Sequence, residues 1–75
     1  MENTLQNILV FATNIRTATD KKNISAVLNK IPAIKQWNID QEDVDCVLRI
    51  VSETLSEEEI ITSIKNEGFK CTSLE

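Results

Sequence analysis

The 75-residue chain has no histidine and no tyrosine, one glycine, one proline and two cysteines, and its aromatic residues are Phe11, Trp37 and Phe69 alone. Without histidine it lacks the usual general base, the commonest metal ligand and the neutral-pH switch. With one glycine, no glycine-rich phosphate loop can be built, and no Ser-His-Asp or Cys-His arrangement can be assembled. Neither an enzyme nor a bound cofactor is therefore expected. Two cysteines are too few for a disulfide scaffold of this size. Long hydrophobic runs are missing too: the longest, Ile8 to Ala12, is far too short to span a bilayer. Cations are in deficit, with 8 Lys and Arg against 12 Asp and Glu and a net charge of -4. That balance argues against a general nucleic-acid binder, whose affinity rests on neutralising phosphates.

What is present suits one soluble globular domain over residues 1–75, with an ordered core from about 7 to 74. The apolar share is 41% and the charged share 27%, which is ordinary for a folded chain. With so few aromatics, the core has to be drawn from Ile, Val and Leu. Met1-Glu2-Asn3-Thr4 has neither a basic region nor a signal-peptide core, so cytoplasmic residence and reduced thiols are the expectation.

Periodicity divides the chain into six elements. Residues 7–13 are β-prone and apolar on both parities, which suits a central strand. Thr17 with Asp20 three residues on forms a helix-start capping box, with Asp in place of the usual Glu. Ile24, Val27, Leu28 and Ile31 follow as one apolar stripe, and Pro32 stops that helix. Ile34 to Asp40 reads as a second strand and Cys46 to Ser52 as a third, with the acidic stretch Asp40 to Asp45 as the turn between them. That stretch has neither the twelve residues nor the internal glycine of a calcium-binding loop. Ser56-Glu57-Glu58-Glu59 is a strong helix start, Ile60, Ile61 and Ile64 form its buried stripe, and Gly68 stands where a left-handed C-cap is wanted. Phe69 to Leu74 makes a last short strand.

The order β-α-β-β-α-β is the ferredoxin-like, α+β arrangement. Right-handed crossovers place both helices on one face of a four-stranded antiparallel sheet of order 4-1-3-2. The covered face is expected to take Ile8, Val10, Ala12, Trp37, Ile39, Cys46, Leu48 and Ile50. Leu9, Phe11, Val47 and Val51, with Arg49, are then expected on the open face, as a contact surface for a protein partner or a second copy.

With these elements in place, the chain resembles the heavy-metal-associated domain of copper chaperones and metal-pumping ATPases, without gaps from about Ile8 to Leu74. The resemblance is carried by Leu28-Asn29-Lys30-Ile31-Pro32-Ala33-Ile34, which looks like the family's helix-to-strand segment. It is carried also by Ser56-Glu57-Glu58-Glu59-Ile60-Ile61, like its second-helix start, and by Ile64 followed by Gly68-Phe69, like its helix exit. The resemblance implies a metal loop of the type Gly-Met-x-Cys-x-x-Cys. Here that stretch reads Asn14-Ile15-Arg16-Thr17-Ala18-Thr19-Asp20. Ile15 can serve as the apolar plug that Met provides, but Thr17 and Asp20 stand where the two thiolates would be. The lysine found in some members near the second helix exit is replaced by Asn66. A hydroxyl and one carboxylate cannot replace a soft dithiolate for copper(I), so no metal is expected at this loop.

Cys46 and Cys71 remain. With strand one between them they stand roughly 10 Å apart, beyond the 7 Å or so that a disulfide allows, so neither a disulfide nor a shared metal is expected. Three functions stay open at this point. The first is a protein-interaction module. The second is metal handling through other ligands such as Cys71, Asp20, backbone groups or a partner's thiols. The third, by fold analogy alone, is an enzyme or a small-molecule sensor.

Overall fold

The structure, a computed structural model, describes residues 7–74. Its elements are β1 (Asn7–Thr13), α1 (Ala18–Leu28), β2 (Ile34–Asp40), β3 (Val47–Ser52), α2 (Glu57–Asn66) and β4 (Cys71–Ser73). All neighbouring strands pair antiparallel, in the order β2-β3-β1-β4. This is the ferredoxin-like order expected from the sequence, with β1 and β3 central.

Local chemistry explains where the helices start and stop. At α1 the Thr17 hydroxyl accepts from the Asp20 amide. At α2 the Ser56 hydroxyl accepts from the Glu59 amide at 3.2 Å, and the Glu59 carboxylate accepts in return from the Ser56 amide at 2.8 Å. Glu57, Glu58 and Glu59 add negative charge at the positive end of the helix dipole. Gly68, at φ +89, ends α2 in a Schellman motif: its amide donates to the Lys65 carbonyl, and the Phe69 amide donates to the Ile64 carbonyl. Phe69 packs on the same core as Ile64. α1 ends before Ile31, at Leu28. Its cap residue Asn29 donates to the Ser25 hydroxyl and accepts from the Trp37 indole at 3.1 Å, which ties the helix exit to β2.

The core is a single, mainly aliphatic layer between the sheet and the helices. Phe11, Leu48 and Ile50 from the sheet meet Ile24 and Leu28 of α1 and Ile60 and Ile64 of α2, all essentially without solvent exposure. Leu9, Trp37, Ile39, Leu55 and Phe69 close its margins.

One strand faces the opposite way to the sequence expectation. Register pairs Leu9 with Ile50 and Phe11 with Leu48, which puts both on the helix-covered side. Ile8 and Val10 pair with Val51 and Arg49 on the open side. Leu9 and Phe11 are therefore core residues, and Ile8, Val10 and Ala12 belong to the open face. Every position from Ile8 to Ala12 is apolar, so alternation carries no information there, and a shift of one residue exchanges the faces. The bulkiest residue of the strand, Phe11, goes to the covered side, where it is fully buried, and Ile8 is left 65% exposed on the open side. Trp37, Ile39, Leu48 and Ile50 lie on the covered face, and Val47, Arg49 and Val51 on the open one, as their alternation indicates. Val47 is nevertheless almost wholly screened from solvent.

Candidate functional site

The loop between β1 and α1 sits at the end of the sheet where β1 and β2 finish and β3 and β4 begin. Ile15 is fully buried in the core cluster and pins the loop as an apolar plug. Its amide donates to the Thr13 hydroxyl at 3.2 Å. Asn14 accepts from the Lys70 amide at 2.8 Å and fastens the loop to the start of β4. From the other side, the Gln41 side-chain amide donates to the Ile15 and Thr17 carbonyls at 3.2 and 2.8 Å.

Thr17 and Asp20 close the helix start on each other. The Asp20 amide donates to Thr17 Oγ1 at 3.0 Å, while Asp20 Oδ2 accepts from both the Thr17 and Arg16 amides at 3.2 Å. The Thr17 amide chiefly holds the Asp20 carboxyl below the ordinary aspartate range. Partial loss of hydration opposes it, and the Arg16 amide and Thr17 hydroxyl add to the lowering. Both side chains thus serve as acceptors for backbone amides that a helix N-terminus must satisfy.

The two thiols take different places. Cys71 opens β4, opposite Thr13, inside the core cluster. Burial pushes its thiol up to about 11, against a small opposing effect of the Lys65 charge. Cys46 departs from the sequence reading, which placed it on the third strand and on the covered face. It precedes β3 in the left-handed region, at φ 44. The turn before it is closed by the Cys46 amide donating to the Asp43 carbonyl at 2.9 Å and by the Asp45 amide donating to Asp43 Oδ1 at 2.9 Å. Its carbonyl accepts from the Thr13 hydroxyl at 2.7 Å, and its sulfur lies 4.0 Å from Arg16 Nη1. One thiol therefore sits beneath the loop, fully buried. Both cysteines are free.

This donor set does not fit copper(I). Hard oxygens occupied by amides replace the soft pair, and neither thiol belongs to the loop: Cys46 precedes β3 and Cys71 opens β4. Among the described residues no three side chains of the His, Cys, Asp and Glu types come together as metal ligands. The expectation of no metal ligand at Thr17 and Asp20 rests on this chemistry. Gln41, Asn14 and the Arg16–Cys46 contact carry no local sequence signal, because their partners lie 24 to 56 residues away.

Of the open-face residues singled out from sequence, Val47, Arg49 and Val51 lie together on β3, and Leu9 and Phe11 are removed from the set. Ile8, 65% exposed, and the half-buried Val10 and Ala12 take their place. No helix among the described residues is long and apolar enough to cross a membrane.

No family model matches the sequence, and no curated protein matches it. Solved structures do match in shape. The yeast copper transporter domain CCC2A, solved in apo and Cu(I)-loaded states, aligns at TM-score 0.77 with 16% identity, over 91% of this chain and 94% of that one. The apo heavy-metal-associated domain of the copper chaperone for superoxide dismutase aligns at TM-score 0.77 with 12% identity, over 100% of this chain and 76% of that one. The chain thus has a ferredoxin-like fold similar to that of these two domains, with a capping box where the resemblance looks for a dithiol.

Proposed function

We propose that the chain is a protein-interaction module on a heavy-metal-associated-like fold, with neither a dithiol metal centre nor a catalytic role. The observation that carries this reading is the reciprocal hydrogen bonding of Thr17 and Asp20 at 3.0 and 3.2 Å. Both side chains at the metal-loop positions already satisfy helix amides. Opening them to a soft cation would cost the cap and supply only oxygen donors. The copper loading of the yeast domain belongs to that protein. The surface left for function is the open sheet face, where Ile8, Val10 and Val51 surround Arg49.

The test is competition for Cu(I) against a chromogenic chelator under reducing conditions. The natural chain leaves the chelator complex intact. The double variant Thr17→Cys/Asp20→Cys withdraws copper stoichiometrically, because the loop frame and the Ile15 plug remain. Stoichiometric withdrawal by the natural chain overturns the reading.

A further inference from the structure

The open face of the sheet is built from cross-strand pairs that the register fixes. Ile8 faces Val51, and Val10 faces Arg49, which in turn faces Asn38 of β2. Arg49 stands in the middle of the central strand β3, and its guanidinium is exposed. Among the described residues it makes no ion pair and no hydrogen bond; the ion pair present there joins Lys35 to Glu53. An arginine fork beside a half-exposed apolar strip is matched by a planar anion that brings its own apolar surroundings. A carboxylate meets the fork with two parallel hydrogen bonds, which strengthen as the strip excludes water.

We propose that this face docks a protein segment whose apolar strip carries a carboxylate, with the strip laid on Ile8, Val10 and Val51 and the carboxylate on Arg49. The proposal rests on the interaction-module reading above. A second copy of the chain fits less well. Stacking the two apolar strips brings a second guanidinium beside the first, with no carboxylate supplied to either fork. The face is also small. Four strands about 4.8 Å apart, with about six residues each, make a face of roughly 400 Å². That is about half of the roughly 800 Å² per partner found in stable complexes. A face of this size suits a transient contact rather than a permanent one.

The test titrates the ¹⁵N-labelled chain with a short synthetic peptide of alternating valine and glutamate, and with the matching valine-lysine peptide. The glutamate peptide gives saturable shifts at Val10, Arg49 and Val51. The lysine peptide binds at least about tenfold more weakly. Arg49→Glu reverses the preference and leaves the amides of the covered core in place, since the side chain is exposed. The proposal is overturned if neither peptide gives saturable shifts up to about 1 mM, or if Arg49→Glu leaves glutamate-peptide binding unchanged. It is overturned also if the shifts map to the ≈ 600 Å³ groove between the helices at Val27, Ile31 and Ser63. Concentration-dependent shifts of the same face without peptide assign it to a second copy and likewise overturn it. A silent peptide titration in a chain that leaves Cu(I) with the chelator removes this proposal alone. Copper withdrawal removes the underlying reading.

Discussion

Thr17 and Asp20 each hold the other's backbone: the Thr17 hydroxyl takes the Asp20 amide at 3.0 Å, and the Asp20 carboxylate takes the Thr17 amide at 3.2 Å. The two positions where the heavy-metal-associated resemblance looks for thiolates are therefore spent on starting a helix. The spacing of three residues that serves a chelating pair also serves a capping box, because both depend on the geometry of the first helical turn.

Removing the cap has a direct consequence. Thr17→Ala lowers stability by about 1 kcal/mol, read as a lower urea midpoint with an unchanged slope, while Thr17→Ser retains most of it. A midpoint unmoved by Thr17→Ala contradicts the structural role.

The lowered pKa of Asp20 gives that cap an acid limit. A carboxylate with a folded pKa below its unfolded value binds more protons in the unfolded state. Its contribution is complete above the ordinary aspartate range and is lost as pH falls through the lowered folded value. Unfolding midpoints measured between about pH 5 and pH 2 fall less steeply in Asp20→Asn than in the natural chain. Equal acid slopes contradict it.

Cys71 sets an alkaline limit of opposite sign. Its folded thiol titrates at about 11 against an ordinary 9.0. Between those values the unfolded chain has lost the proton that the folded one keeps, so stability declines from about pH 9 towards about 11. Cys71→Val flattens that decline. Native Cys46 and Cys71, both buried, react with thiol reagents only as fast as the chain opens, and react freely in denaturant.

The face assignment of β1 separates two neighbours. Phe11→Ala, which empties a fully buried site beside Leu48, costs about 3–5 kcal/mol, a large part of the 5–15 kcal/mol or so that a domain possesses. Val10→Ala, on the open side, costs far less. Comparable losses for the two contradict the register.

Much of this architecture is legible from residues. Capping boxes at Thr17 and Ser56, the left-handed Gly68 and the period-two pattern of Val47 to Val51 each rest on one local rule. The strand order then follows from the crossover rule. The facing of β1 was not legible, because Ile8 to Ala12 are apolar on both parities and only packing volume separates Phe11 from Val10. Cys46 was not legible either. A non-glycine residue at φ 44 has no sequence mark, and it is held there by the Asp43 turn and by Thr13 of the neighbouring strand β1. Arg49 is legible as an open-face residue, but the apolar strip beside it is Ile8 and Val10, the alternate residues of β1 to the expected Leu9 and Phe11.

On the proposed reading, the β1–α1 loop is a helix cap and not a soft-metal site. The most direct measurement is a backbone amide NMR titration of the reduced chain with Cu(I). No saturable shift is expected from Arg16 to Lys21 or at Cys46, and the Thr17 and Asp20 amides stay unchanged at one equivalent of metal. Stoichiometric, saturable shifts of those amides would contradict it.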